Sequence, residues 1–376
     1  MKIAVNARFL LPGKLEGIGW YSHEILRRLV SAHPEDKFYF LFDRQPDTRF
    51  LYGPNVTSVQ VFPPARHPFL WYWWFERSLP RVLHRLQPDV FFSPDGYASL
   101  CTNVPTVMTV HDLAYLHFPE QVPGLVGKFY RHYVPKYLQK VQHITAVSEA
   151  TALDIKKHFS IAENKITVAP NAARPVFQPL SDQEKTAVLQ QWTQGRPFYL
   201  YYGAIHPRKN VHRLIQAFDI FKKQTGAPHY LVLAGRMAWH TEAVQQAIQS
   251  ASHAAQIVLT GYQDDARLAR LAGSAFALVY PSLFEGFGLP VLEAMHCDVP
   301  VITSDTSSLP EVAGGAALLV NPHETASISD AMIRLWQEPE IYRELVLKGK
   351  TARQRYSWED TADVVYAALR GAAAKK

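Results

Sequence analysis

The residues with the most chemical promise form one decad, Phe284-Glu285-Gly286-Phe287-Gly288-Leu289-Pro290-Val291-Leu292-Glu293. An apolar run at 276–280 ends in Pro281, a loop with two glycines follows, and Pro290 suits the first turn of a helix. Gly286 and Gly288 let the backbone come close to a ligand. The amides of Gly288 and Leu289 would then face outward at a helix N-terminus, where an anion is favoured. Glu285 and Glu293 would flank the same small volume. Two carboxylates repel phosphate and accept hydrogen bonds from hydroxyls, so the fitting partner is a sugar or a ribose. Taken singly, either glutamate reads equally well as a helix cap and the glycines as a tight turn. The ten residues together point to binding.

A second segment, Gly203-Ala204-Ile205-His206-Pro207-Arg208-Lys209-Asn210, joins an expected strand at 198–203 to an expected helix at 210–224. Adjacent cations in such a loop can neutralise a diphosphate, and arginine adds a bidentate fork that lysine lacks. A third, Gly17-Ile18-Gly19, follows the first strand; glycines there serve a tight turn or a close ligand approach. A fourth, Thr109-Val110-His111-Asp112-Leu113, ends the strand at 106–110. His111 could contact a sugar, and Asp112 reads as a cap for the next segment. Ser148 opens a helix as its cap. Tyr262 follows a strand at 257–260, and the 305–311 loop reads as support.

These motifs fall where strands end. Strands are expected at 2–6, 37–42, 56–62, 89–93, 106–110 and 143–147, then at 198–203, 229–234, 257–260, 276–280, 299–303 and 317–320. Helical stretches at 18–32, 71–86, 125–140, 149–159, 210–224, 241–252, 264–273 and 324–336 lie between them. Near-continuous apolar strands alternating with helices indicate parallel α/β sheets. The rhythm occurs twice, with a break at 170–197 carrying Pro170, Pro175, Pro179, Gly195 and Pro197. Two doubly wound, Rossmann-like domains facing a central cleft are therefore expected, 1–178 and 179–356. Ligands of such domains bind beyond the carboxyl ends of the strands.

With 376 residues, 48% hydrophobic and 19% charged, the chain has material for two cores, and it lacks the low-complexity or heptad runs of disordered and coiled-coil proteins. Its two cysteines, Cys101 and Cys297, are far apart, which excludes a disulfide scaffold and suits a cytoplasmic setting. Residues 1–178 hold 20 Lys+Arg against 14 Asp+Glu, whereas residues 179–376 hold 19 of each. The surplus suggests an anionic partner for the first half, such as a membrane surface, a nucleic acid or a phosphorylated substrate. A basic aromatic stretch at 68–86 could lie at a membrane interface or be a surface helix with an apolar inner face. No run of about 18 apolar residues is present, so no membrane span is expected. Asp-x-Asp and P-loop motifs are both absent.

The decad resembles the signature of retaining GT-B glycosyltransferases of family four (glycosyl transferases group 1), two acidic residues around Glu-Gly-Phe-Gly-Leu-Pro. In that family the first glutamate, here Glu285, contacts donor-sugar hydroxyls, the second, Glu293, contacts the ribose, and the amides between them hold the diphosphate. The Pro207-Arg208-Lys209-Asn210 loop is similar to the family's, where both cations bind the leaving diphosphate. The resemblance gives Gly17 and Gly19 a place over the donor phosphates, puts Gly203 and Phe287 in the donor site and His111 beside the reacting centre, and sets Tyr262 against the base. Asn171 matches the family's hinge motif, although Ala172 replaces a glycine there.

The resemblance implies metal-independent transfer of a sugar from a nucleotide-sugar donor to a glycan or lipid-linked acceptor, without nucleic acid. Front-face attack is implied, the departing diphosphate taking the acceptor proton. It further implies that the helix from about 357 packs back on the first domain. The wording of the two C-terminal motifs is most similar to bacterial mannosyltransferases of polysaccharide assembly, which makes GDP-mannose the expected donor and a UDP-sugar the alternative. The enzyme would be cytoplasmic or peripheral on the inner face of the cell membrane. A nucleotide-sugar epimerase of the same fold and a silent sugar-binding protein remain as other classes.

Overall fold

In the computed structural model, residues 1–13 and 15–374 are described. They form two compact units, Met1–Asn171 with Ser357–Lys376, and Ala172–Tyr356. The chain thus enters the second unit before the expected 178/179 boundary. Arg174 and Phe177 account for this, because both pack within the second unit: Arg174 pairs with Glu293, and Phe177 stacks on Tyr202.

The first unit is built on seven parallel strands: β1 (Lys2–Asn6), β2 (Lys37–Phe42), β3 (Val56–Gln60), β4 (Val90–Ser93), β5 (Thr106–Val110), β6 (His143–Ala146) and β7 (Ile166–Val168). Their order is β3-β2-β1-β4-β5-β6-β7. The central strands β4 and β5 are buried throughout, as expected of a sheet covered on both faces. β7 has no counterpart among the expected strands. It is a three-residue edge strand with only alternating burial, too short to print an apolar run.

The second unit has six strands: β8 (Phe198–Tyr202), β9 (Tyr230–Ala234), β10 (Ile257–Gly261), β11 (Ala277–Tyr280), β12 (Val301–Ser304) and β13 (Ala317–Val320). Their order is β10-β9-β8-β11-β12-β13, again all parallel. Part of the segment read as a break is a helix, Asp182–Thr193. A capping box opens it, with Ser181 and Glu184 satisfying each other's backbone amides.

The basic aromatic stretch turns one face of its second half into the core. It runs as helix Pro68–Trp73, a π-type turn Trp74–Ser78 and helix Leu79–Leu86. Trp74, Phe75, Leu79 and Leu83 are fully buried, each such side chain contributing roughly 1.5–3 kcal/mol. The indole of Trp74 donates to the Val61 carbonyl at 3.1 Å. Phe69 and Trp73 remain exposed. The C-terminal helix Trp358–Ala373 belongs to the first unit, where Thr361 donates to the Pro170 carbonyl at 2.7 Å and Trp358 lies edge-on to Tyr21. Among the described residues no helix is long and apolar enough to cross a membrane.

Candidate functional site

In the second unit the order of the sheet reverses between β8 and β11, and the loops leaving these two strands carry the strongest motifs. After β8, Pro207–Lys209 makes one tight turn and Asn210 adopts a left-handed conformation before helix Val211–Thr225. Asn210 is fully buried and donates to the carbonyls of Pro281 and Pro322 at 3.0 and 2.7 Å. It therefore ties the cationic turn to the loop after β11. Leu283 N and Ser282 Oγ reinforce this by donating to the Arg208 carbonyl at 2.8 and 3.1 Å.

The turn brings Lys209 onto Glu285. Lys209 Nζ donates to Glu285 Oε1 and, at 2.8 Å, to the Tyr280 hydroxyl, which itself donates to Glu285 Oε1 at 2.9 Å. Arg208 reaches the Phe284 carbonyl at 3.5 Å. Burial pushes the Glu285 carboxyl up, but Lys209 and Arg208 outweigh this and hold it at about 2. Glu285 is thus an anion at any physiological pH, and its hydrogen-bonding capacity is that of an acceptor.

The backbone around Glu285 is braced by the 305–309 loop. Ser307 Oγ accepts from Glu285 N at 3.0 Å, and Ser308 Oγ donates to the Glu285 and Phe287 carbonyls at 3.0 and 2.9 Å. Gly288 caps helix Leu289–His296 with φ 98°, a left-handed value suited to glycine, and a Cβ there would sit 2.6 Å from Leu309. Gly288, having no side chain, supplies no cap bond to this N-terminus. Gly286 is buried in the same loop. Phe287 is also buried and packs edge-on to Tyr356, so its side chain serves the core and only its backbone lies in the motif loop.

Glu293 has its own set of partners. Glu293 is fully buried and accepts a bidentate pair from Arg174, Nε at 2.6 Å and Nη2 at 3.0 Å, plus the Tyr202 hydroxyl at 2.9 Å. Arg174 also bonds Asp265. Although burial disfavours its charge, Glu293 and Asp265 raise the guanidinium's pKa. Sequence reasoning missed Arg174, since its partners lie far along the chain. It also missed a cluster at the ends of β8 and β9. Here His206, buried with Nδ1 unpartnered among the described residues, stacks on the exposed Trp239 at 4.7 Å. Burial, then Lys209 and Arg208, and also Arg236, lower its pKa to about 3. Arg236 is therefore a third cation near the turn. Gly203 lies where these loops meet, its carbonyl against Gly235. Tyr262 is exposed just beyond β10.

In the first unit the order reverses between β1 and β4. Asp95, just beyond β4, accepts from Asn6 Nδ2 and Arg8 Nη2, both at 2.7 Å. Arg8 lies against the stacked rings of Phe75 and Tyr97, 4.8 and 4.9 Å from their centroids. The neighbouring Pro94 carbonyl lies 2.7 Å from His111 Nε2. A carbonyl only accepts, so Nε2 carries the proton and Nδ1 of the neutral ring is an acceptor. Burial lowers the His111 pKa despite that contact, which keeps the ring neutral. Asp112 Oδ1 caps the next turn at Ala114 N, 2.9 Å, and Ser148 caps helix Glu149–Phe159. Gly17 and Gly19 lie inside the first turn of helix Gly17–Ala32 rather than in a loop ahead of it. Gly17 faces open space, while a Cβ on Gly19 would come within 2.8 Å of the Phe9 carbonyl, so close packing demands that glycine.

The chain is similar to known proteins. Residues 182–352 match the model for glycosyl transferases group 1, and residues 15–175 match that for Glycosyltransferase Family 4. The chain is 32% identical over 362 residues to O-antigen chain mannosyltransferase B of Escherichia coli, covering 92% of this chain and 93% of that one. Among solved structures, sucrose-phosphate synthase from Thermosynechococcus elongatus superposes with a TM-score of 0.78 at 18% identity, over the whole of both chains. Anabaena Alr3699/HepE, solved with UDP and glucose, does so with a TM-score of 0.77 at 16% identity, over 99% of this chain and 100% of that one. The fold is therefore GT-B, built from two Rossmann-like domains, and the chain belongs to glycosyltransferase family 4.

Proposed function

We propose that the chain transfers mannose from GDP-mannose, with retention of configuration, to a hydroxyl of a glycan or lipid-linked acceptor. The observation that carries this reading is the Lys209–Glu285–Tyr280 cluster beside Arg208 and the N-terminus of helix Leu289–His296. Arg208, Lys209 and the amides of Gly288 and Leu289 receive the diphosphate, and Glu285 accepts from sugar hydroxyls. In this role Lys209 turns from Glu285 to the phosphate as the donor enters, freeing a carboxylate oxygen for the sugar. Glu293 supports the ribose side, with Arg174 fixing its orientation, and Tyr262 and Gly203 lie toward the donor nucleotide.

As the anomeric C–O bond breaks, its electron pair goes to the diphosphate, where the cations stabilise the growing charge. The acceptor oxygen attacks from the same face, and its proton passes to the departing phosphate oxygen. His111, in the first unit, offers a neutral imidazole whose Nδ1 can accept from a sugar hydroxyl. The cations fill the role that a metal–diphosphate clamp would have, so added Mg2+ or Mn2+ is expected to leave turnover unchanged.

The mannosyltransferase relative supports the sugar, and the UDP-bound neighbour is the observation that favours a UDP-sugar as the second reading. Product analysis by NMR after incubation with GDP-mannose and with UDP-glucose distinguishes them. An axial mannoside formed from GDP-mannose is expected. An inverted product overturns retention, and turnover of UDP-glucose alone overturns the donor.

A membrane surface is part of the proposal for the first unit. Phe69, Leu125 and Phe129 line a groove of about 510 Å³ with Lys128 in its wall, apolar surface beside a cation, as suits an anionic lipid surface. Sedimentation with vesicles containing phosphatidylglycerol should carry the protein down at low salt. Equal sedimentation of a Phe69→Ser/Leu125→Ser variant would contradict the assignment.

A further inference from the structure

The first unit holds a second cluster of potential ligands that the transfer reaction does not use. Helix Glu149–Phe159 places Asp154 and His158 four residues apart on one face, and the short helix Ala114–His117 ends with His117 against them. His117 Nε2 lies 2.7 Å from Asp154 Oδ2, and His158 Nε2 lies 3.3 Å from Asp154 Oδ1. One ligand atom from each of the three residues falls within 4.8 Å of the others. Asp154 is mostly covered, while both imidazoles are about one-third exposed.

We infer that His117, Asp154 and His158 bind one divalent transition ion of the zinc type. Two imidazoles and a carboxylate suit Zn2+, Co2+ or Ni2+, whereas Mg2+ and Ca2+ favour sites made of oxygen alone. Zinc holds nitrogen and oxygen ligands at roughly 2.0–2.2 Å, so two ligand atoms on a tetrahedral ion stand about 3.3 Å apart. His158 meets Oδ1 at 3.3 Å and His117 meets Oδ2 at 2.7 Å, so the carboxylate spans the two imidazoles, and side-chain rotation from within 4.8 Å would bring one atom of each residue to that spacing. Exposure of both rings leaves the fourth position to water. Lys156, on the same helix, is engaged by Glu163 at 2.7 Å.

The position gives the ion a structural consequence. Helix Ala114–His117 has four residues, far too few to be stable alone, and it follows directly on His111-Asp112-Leu113. A metal bridge would fasten this segment to helix Glu149–Phe159, and so steady the backbone that carries His111. The ion would thereby support the first unit without taking part in diphosphate chemistry, for which the second unit has its own cations.

The test uses the metal-free full chain, titrated with Zn2+ by calorimetry and with Co2+ by visible absorption. One equivalent should bind, Co2+ should develop d–d bands, and Zn2+ should raise the melting temperature. The His117→Ala/His158→Ala variant should bind at least about tenfold more weakly and gain no stability from zinc. A His158→Cys variant keeps three ligands and should add a sulfur-to-cobalt charge-transfer band. Equal affinity in the wild type and the double alanine variant would overturn the site. So would a cobalt spectrum in which the cysteine produces no such band.

Discussion

At the switch point of the first sheet a buried cation, Arg8, meets Asp95, and at that of the second Lys209 meets Glu285. The first pair has side chains 5% and 1% exposed and is roofed by Phe75 and Tyr97; the second retains 12% and 11%. The difference separates two uses of the same architecture. Arg8–Asp95 is sealed and acts on its surroundings, holding the turn whose Pro94 carbonyl sets the His111 tautomer. Lys209–Glu285 is still reachable, with a third partner in Tyr280, and can exchange its internal bonds for a ligand's. Arg174–Glu293 belongs with the sealed kind through its carboxylate, which has no exposure at all.

Breaking the sealed kind of pair should act on stability. Arg174→Ala strands the buried Glu293 carboxylate, and denaturant titration should show a loss of about 3–5 kcal/mol. A loss below about 1 kcal/mol would mean that Glu293 gains its stabilisation elsewhere. Breaking the reachable pair should act on chemistry. Lys209→Ala is expected to reduce transfer about 10²–10³-fold, roughly 3–4 kcal/mol, with an unchanged far-ultraviolet circular dichroism spectrum. Unchanged turnover would remove Lys209 from the reaction. Glu285→Gln sharpens the distinction within that pair. Transfer should fall about a hundredfold while nucleotide affinity changes less than about threefold, because the amide still touches the sugar but no longer carries charge. Equal losses in both would contradict a sugar-orienting role.

The smallest effect concerns a histidine outside either pair. His229 is fully buried among Tyr199, Phe221, Phe276 and Trp336, and both ring nitrogens lack partners among the described residues. Burial and then Lys222 lower its pKa from 6.5 to about 4. A histidine depressed in this way contributes stability above its unfolded pKa and loses it as pH falls toward 4. Between pH 7 and pH 5 the loss from this group is about 2 kcal/mol. His229→Phe should remove that part of the acid sensitivity, whereas Glu285, held at about 2, acts only below its ordinary range of 4.5. An identical pH profile in the variant would contradict the assignment.

What could be read from the sequence follows the same division. Strands such as 2–6, 37–42 and 106–110 match because burial on both faces leaves an unbroken apolar run. Lys209 and Glu285 were visible because each sits in a local turn with its own glycine and proline punctuation. Arg174 and Arg8 were not, since their partners Glu293 and Asp95 are brought near only by the completed sheet. Phe287 shows the limit from the other side, as its place in the motif loop says nothing of which way its ring turns. The helix at 182–193 has a start signal in Ser181 and Glu184, yet the flanking Pro179, Gly195 and Pro197 make the segment read as a break.

The central claim is that the second unit's cations hold a nucleotide diphosphate. Thermal melts of the wild type and of Lys209→Ala with GDP, UDP, ADP and their sugars test it directly, because a ligand of the folded state alone raises apparent stability. The account predicts that GDP and GDP-mannose raise the wild-type melting temperature and that the variant loses most of that shift. A response to UDP-sugars alone would keep the site and change the donor. No response to any nucleotide, or an equal response in the variant, would contradict the account.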